Sequence, residues 1–414
     1  MLEQIEGSLG VAKAVALCRP GVVCAYPISP QTHIVENVGK FVKNGTLKDC
    51  DFLNVESEFS AISVAIGSEV GGARTYTATA SQGLLYMTEG VYSASGLGLP
   101  IVMTVASRAI GGPINIWNDH SDSLSQRDSG WLQLFCESNQ DAVDTHIMAF
   151  KIAEEVGLPV MVCMDGFVLT HAFERLDIPS QETVDKFLPE YQPREYLTPK
   201  EPISIGAMVG PEAFTEVRFL QQRKMAEALK VIEKVTKEYR DLTGSKSGGL
   251  LDCYNCENAD LKLVIMGSTV GTAKDEIDRL KAEGINVGII SLKSFRPFPY
   301  EAMAKAIGDT KKVICLERAF SFGARGIVCP EVKRAMEGKN CDVKTVVAGL
   351  GGRPIFGTTI RGIVKDALAD KFTEEFTWFD VNADVLNSYT DKTEGVTFKN
   401  GPIAQSVLEN SVKD

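Results

Sequence analysis

Short apolar runs of strand length alternate with longer stretches in which small and polar residues recur at helical spacing. Val22–Tyr26, Thr75–Ala80, Ile101–Ser107 and Val160–Met164 are rich in apolar residues on consecutive positions, which predicts parallel strands buried on both faces. Between them, Glu56–Val70 and Gln82–Gly96 predict helices whose small residues allow close packing on that sheet. From about Pro189 the pattern changes to scattered prolines, a charged helix expected over Glu216–Thr243, and the run Gly244-Ser245-Lys246-Ser247-Gly248-Gly249. Alternation then resumes with a strand over Leu261–Met266, a helix over Thr272–Glu283 and strands over Val287–Ser291, Lys312–Leu316 and Val343–Val347. The pattern predicts an α/β chain: a larger unit over 1–240, a linker over 241–260, a smaller unit over 261–370 and a polar arm over 371–414 that frays or lies on a partner.

A length of 414 residues with 44% hydrophobic and 23% charged residues supports two or three ordinary globular units and no disordered or fibrous class. The net charge of −11 argues against nucleic acid and anionic membranes as partners, since both call for a basic surface. Glu3 and Glu6 stand where a signal peptide carries positive charge, and no apolar run is long enough to span a bilayer, so a cytoplasmic location is expected. The ten cysteines are mostly scattered through apolar runs, as core thiols are. Cys253-Tyr254-Asn255-Cys256 is a C-x-x-C without a second pair or nearby histidines, which favours plain linker thiols over a metal or redox site.

Four segments carry candidate chemistry. Tyr26-Pro27-Ile28-Ser29-Pro30-Gln31 follows a strand, and its prolines freeze a loop where open α/β sheets place ligands, although a rigid surface turn has the same look. Val55-Glu56-Ser57-Glu58 enters a helix. Acids there ordinarily serve the helix dipole, whereas a buried glutamate beside a nitrogen heterocycle would share a proton with it. In Thr77–Leu84 a strand ends in small polar residues including Ser81 and Gln82, so backbone can approach a ring or phosphate closely. The G-x-G-x-x-G spacing of a dinucleotide site is absent. Arg108 at a strand end, followed by Gly111-Gly112, suits a carboxylate ligand and equally an ordinary salt bridge. His120, between Asp119 and Asp122, is left without a role, because structural histidines beside acids are common.

Together these segments resemble the α-subunit of the pyruvate (2-oxo acid):ferredoxin oxidoreductase family. The resemblance spans most of the chain: Tyr-Pro-Ile-Ser-Pro at 26–30, Val-Glu-Ser-Glu at 55–58, Thr-Ala-Ser-Gln-Gly at 79–83, Pro-Ile-Asn-Ile-Trp-Asn-Asp at 113–119, Gln-Arg-Asp-Ser-Gly-Trp at 126–131 and Met-Asp-Gly-Phe at 164–167. It continues through Met-Gly-Ser-Thr at 266–269, Phe-Arg-Pro-Phe-Pro at 295–299 and Gly-Leu-Gly-Gly-Arg at 349–353. The resemblance implies a thiamine-diphosphate pyrimidine-binding-type catalytic domain and a smaller transketolase-C-terminal-like α/β domain. It also implies oxidative decarboxylation of a 2-oxo acid to its acyl-CoA and carbon dioxide. By this correspondence Glu58 hydrogen-bonds the aminopyrimidine ring and favours the tautomer that deprotonates the thiazolium. Pro27, Ile28, Ser81 and Gln82 border the cofactor, Ser29 and Arg108 hold the substrate's carbonyl and carboxylate, and Gly111 and Gly112 line the substrate pocket. No metal ligand is expected here.

The G-D-G…N pattern that grips magnesium and diphosphate is absent, as is any iron–sulfur cysteine spacing. The resemblance therefore implies a β-type subunit that holds the diphosphate and Mg2+, and γ- and δ-type or ferredoxin-like subunits that carry [4Fe-4S] clusters and pass electrons to ferredoxin or NAD. Ser29 where many members have threonine, and Gly111-Gly112 where many have bulkier residues, enlarge the expected pocket. A methylene in such a pocket is worth about 1–3 kcal/mol. The expected substrate is pyruvate or an aryl 2-oxo acid such as phenylglyoxylate. Two alternatives remain: a β-type subunit of a lipoyl-dependent 2-oxo acid dehydrogenase, and a non-catalytic scaffold subunit. Glu58 discriminates the latter.

Overall fold

The consecutive apolar positions become strands enclosed by helices. The computed structural model describes residues 2–386. A seven-stranded sheet runs, edge to edge, through Ser294–Arg296, Leu132–Phe135, Val160–Asp165, Val102–Ser107, Thr75–Thr79, Val22–Ala25 and Asp51–Asn54. All neighbours are parallel except Ser294–Arg296, which pairs antiparallel with Leu132–Phe135. A six-stranded sheet has the order Phe376–Trp378, Asp342–Val347, Lys312–Glu317, Leu261–Ile265, Val287–Leu292 and Leu251–Tyr254, the last antiparallel. Leu2–Glu6 and Phe173–Asp177 form a separate antiparallel pair.

The helix expected over Gln82–Gly96 is two, Ser81–Tyr86 and Thr88–Leu97. The Thr88 hydroxyl donates to the Leu85 carbonyl at the break, the local competition that bends helices at threonine. Two stretches depart from expectation. Residues 241–260, read as linker, contain the edge strand Leu251–Tyr254, and residues 371–414, read as an arm, begin with Phe376–Trp378 on the opposite edge. Both strands are short and only partly buried, so neither shows the apolar run that marks an interior strand. The part of the arm beyond residue 386 lies outside the described residues.

The charged helix Phe214–Thr243 packs on Asn139–Val156, against the first sheet. A single apolar cluster joins the two sheets: Ile62, Met103, Trp131 and Phe135 share it with Val264, Ile290, Val313 and Val332. Fully burying one such side chain stabilises by about 1.5–3 kcal/mol. The two sheets are thus held by shared core as well as by polar contacts. No helix among the described residues is long and apolar enough to cross a membrane.

Candidate active site

Because the strands from Asp51–Asn54 to Val160–Asp165 are parallel, their C-terminal ends share one edge, and the loops there carry every candidate residue. Pro27, Ile28 and Ser29 follow Val22–Ala25, Glu58 opens the helix after Asp51–Asn54, Ser81 and Gln82 follow Thr75–Thr79, and Arg108, Gly111 and Gly112 follow Val102–Ser107. Ile28 is half-buried, Pro27 and Ser29 exposed. Gln31, not singled out from the sequence, pins their loop: its buried side-chain amide donates to the Ala78 carbonyl at 2.6 Å, and its backbone amide to the Ile28 carbonyl at 2.8 Å.

Ser57 caps the helix Glu58–Val70, its side chain accepting the Ser60 amide at 3.2 Å. That frees Glu58 from capping, and its side chain lies over Gly83. A Cβ on Gly83 would stand 2.7 Å from Glu58 Oε1 and 2.5 Å from Thr79 Oγ1. Glu58 is 9% exposed, and its carboxylate makes no hydrogen bond or ion pair among the described residues, its oxygens keeping a narrow opening to solvent. Thr79 Oγ1 is buried without a partner as well. Such a buried hydroxyl is costly unless a ligand completes its hydrogen bonding, and the Glu58 carboxylate lies across the same glycine.

Arg108 is the hub of the edge. Its Nη1 donates to the Ser29 carbonyl at 2.8 Å, Nε to the Asn115 carbonyl at 3.2 Å and Nη2 to Gln82 Oε1 at 3.3 Å. Ser81 Oγ stands between Gln82 Oε1 and the Ala109 carbonyl, and its one proton serves either acceptor. Asp122, in the sequence only a neighbour of His120, is a second centre of this edge. Wholly buried, it accepts the backbone amides of Ser81 at 2.8 Å and Arg108 at 2.9 Å, so one carboxylate clamps two strand ends. Burial pushes its pKa up to about 6 against the lowering effect of those amides. Burial likewise lowers the Arg108 guanidinium, with Asp122 opposing.

Gly111 departs from the expectation of an enlarged pocket. The space a Cβ would fill is occupied by Gln82, whose Nε2 lies 1.8 Å from that position, whereas Gly112 has open space around it. Two large cavities, 620 Å³ beside Asp141, Asp144 and Lys293 and 690 Å³ beside Arg19, Lys48 and Arg74, are lined by none of these residues.

The remaining motifs meet in pairs, two of which cross between the two sheets. Asn115 Nδ2 donates to the Gly351 carbonyl and the Gly351 amide to Asp119 Oδ2, both at 3.1 Å, which joins segment 113–119 to 349–353. Arg296 Nε donates to the Arg127 carbonyl at 3.1 Å, joining 126–131 to 295–299. Asp165 accepts the Ser268 amide at 2.9 Å, joining 164–167 to 266–269. Asp165 also binds Arg318 Nη1 at 2.8 Å and His120 Nε2 at 2.7 Å, so His120 belongs to this buried junction. Burial alone would raise the Asp165 pKa, but Arg318 and His120 outweigh it and hold the group well below the ordinary carboxylate range.

A parallel α/β sheet with an orphaned acid and an arginine hub at its C-terminal edge, followed by a second α/β sheet, defines the class. The fold is similar to a split gene transketolase, an inactive beta4 tetramer (TM-score 0.53, 14% identity, 89% of this chain and 99% of that one). It is also similar to the 2-oxoglutarate:ferredoxin oxidoreductase from Magnetococcus marinus with 2-oxoglutarate, coenzyme A and succinyl-CoA bound (TM-score 0.65, 22% identity, 89% of this chain). The chain spans 65% of that larger chain. Residues 13–237 match the family described as pyruvate flavodoxin/ferredoxin oxidoreductase, thiamine diphosphate-binding, and residues 259–360 match pyruvate:ferredoxin oxidoreductase core domain II. The pyruvate synthase subunit PorA of Methanosarcina barkeri is 44% identical over 87% of this chain and 91% of its own length. PorA of Methanocaldococcus jannaschii is 46% identical over 87% and 93%. The ketoisovalerate oxidoreductase subunit VorA of Pyrococcus horikoshii is 39% identical over 91% and 97%. The chain belongs to the 2-oxo acid:ferredoxin oxidoreductase family, as its α-type subunit.

Proposed function

We propose that the strand-end edge is the pyrimidine side of a thiamine diphosphate site completed by a partner subunit, and that Glu58 is its essential acid. One observation carries this reading: a carboxylate only 9% exposed, without a hydrogen-bond or ion-pair partner among the described residues, beside the orphaned Thr79 hydroxyl and over a glycine. The donor set fits the ring half of that cofactor. Thiamine diphosphate, when bound, supplies the carbon nucleophile and the electron sink for decarboxylation. Glu58 holds a proton at the aminopyrimidine ring nitrogen, which relieves the desolvation of both groups. Pro27, Ile28, Ser81 and Gln82 border the ring. Ser29 Oγ and the two N–H donors Arg108 keeps free of its three protein acceptors meet the carbonyl and carboxylate of the 2-oxo acid.

The reaction converts a 2-oxo acid and coenzyme A to acyl-CoA and carbon dioxide, releasing two electrons and a proton. Partner subunits hold the diphosphate, Mg2+ and the iron–sulfur clusters, and ferredoxin takes the electrons. An apolar rim on the same segments supports a partner there: Tyr26, Phe59, Tyr86, Ile114 and Trp117 are exposed, Ile114 by 78%. The substrate is a short aliphatic 2-oxo acid, pyruvate or 2-oxoisovalerate. Those are the chemistries in the names of the PorA and VorA relatives, and Gln82 fills the space at Gly111 on which an aryl pocket depended.

Steady-state kinetics of the purified complex tests the proposal. Glu58→Gln should lower kcat by about 10²–10⁴-fold with the complex still assembled, the usual worth of a positioned acid–base group. A scaffold chain would keep its turnover through the same change. In the wild type, kcat/KM should favour pyruvate or 2-oxoisovalerate over phenylglyoxylate, and the reverse order would restore the aryl substrate.

A further inference from the structure

Two of the four histidines meet a glutamate away from the orphaned acid. Glu6 ends the strand Leu2–Glu6, His33 lies in the first turn of the helix Thr32–Lys43, and His171 follows the strand Val160–Asp165 in a tight turn. One ligand-type atom from each lies within 4.8 Å of the other two. His33 Nδ1 is 2.7 Å from Glu6 Oε1, and the two imidazole centroids are 4.7 Å apart.

Backbone contacts outside the cluster build this arrangement. The Gly7 amide donates to the Ala172 carbonyl at 3.0 Å, and the Ser8 amide and hydroxyl donate to the Thr170 carbonyl at 2.9 and 2.7 Å. A Cβ on Gly7 would stand 2.1 Å from the Leu169 carbonyl oxygen, so only glycine lets the chain carrying Glu6 approach the turn carrying His171 this closely. His171 Nδ1 shares a 2.7 Å hydrogen bond with Thr170 Oγ1. Donation from Nδ1 leaves Nε2 with its lone pair, the orienting bond that metal-binding histidines ordinarily have.

We propose that Glu6, His33 and His171 form a site for a divalent transition-metal cation, with Zn2+ the best fit. Two imidazoles and one carboxylate suit zinc, and a hard cation such as Mg2+ prefers oxygen alone. Tetrahedral zinc at about 2.0–2.2 Å from its ligands needs them about 3.3 Å apart, a contraction that side-chain rotation at exposed His33 supplies. An ion pair between Glu6 and His33 is the simpler reading. That pair involves only two of the three groups and gives no role to the His171 ring, tilted by 33° against His33 and packed on its other contact, Phe167. A bound cation ties the strand Leu2–Glu6 to the helix that begins just after the Pro27–Pro30 loop.

Equilibrium dialysis of the intact complex against Zn2+ in excess Mg2+ tests this. The wild type should bind one more Zn2+ per chain than a His33→Ala/His171→Ala double variant, and Glu6→Gln should weaken that equivalent about tenfold or more. Cys253→Ser/Cys256→Ser should retain it. Equal zinc in wild type and double variant overturns the site, as does loss of the extra equivalent with the cysteines. If the double variant does not assemble, X-ray absorption of the zinc-loaded wild type decides: an imidazole-containing nitrogen/oxygen shell is expected, and a sulfur shell overturns the proposal. None of these readouts depends on turnover or on Glu58.

Discussion

At Asp122 a single carboxylate accepts three backbone amides, Ser81 and Arg108 on one oxygen and Ser123 at 2.6 Å on the other. Burial disfavours its charge while the three amides favour it, and burial wins. Asp122→Asn presents an amide donor to one of those N–H groups, and a buried group left unsatisfied costs about 1–3 kcal/mol. Chemical denaturation of the complex should show that loss. The pH dependence has a definite sign. The folded pKa is raised to about 6 from 3.8, so the contribution of Asp122 is full below the unfolded value and is lost as pH rises through about 6. The stability advantage of wild type over Asp122→Asn should therefore shrink between pH 4 and 6. An advantage that grows over that window would contradict this account of the carboxylate.

At the scale of an element, the short helix Ser81–Tyr86 matters for what it omits. Gly83 lies within it, where alanine would ordinarily gain about 1 kcal/mol of helix propensity. Here the added methyl meets Glu58 Oε1 at 2.7 Å and Thr79 Oγ1 at 2.5 Å, and the flexible Glu58 side chain yields first. Gly83→Ala should lower kcat/KM at least about tenfold, a displacement of catalytic geometry, while the melting temperature of the complex moves by only a few degrees. Unchanged turnover would mean that the position of Glu58 over this helix has no part in the reaction.

At the scale of the whole molecule, the two sheets are locked by paired loops around a buried ionic centre. Asp165 joins His120, Arg318 and Ser268 there. Removing its charge leaves the Arg318 guanidinium, 6% exposed, without its anion, and breaking a buried pair from one side costs about 3–5 kcal/mol. Because the folded Asp165 pKa is depressed, its contribution is present above the unfolded carboxylate value of about 3.9 and is lost as pH falls below it. Urea denaturation should place Asp165→Asn well below wild type at pH 7, with the gap closing on acidification. A gap that does not vary with pH would mean that the aspartate acts as a neutral acceptor.

The sequence alone determined the class of fold and most interior strands to within a residue at each end, because a strand buried on both faces must be apolar at consecutive positions; the four-residue Leu132–Phe135 escaped it. It also determined which loops carry candidate chemistry, Glu58 and Arg108 among them, since those loops follow the strands directly. Tertiary structure alone decided what each residue does there. Asp122 and Gln31 look like ordinary loop polars until folding buries them against amides and carbonyls of other strands. Gly111 looks like an enlarged pocket until Gln82 occupies its space. The short edge strands Leu251–Tyr254 and Phe376–Trp378 carry no periodic signal, since an edge is only half covered. The pairing of segment 113–119 with 349–353 and of 164–167 with 266–269 depends on contacts between residues a hundred or more positions apart. Local propensity carries no record of such contacts, because they exist only once the two sheets share a core.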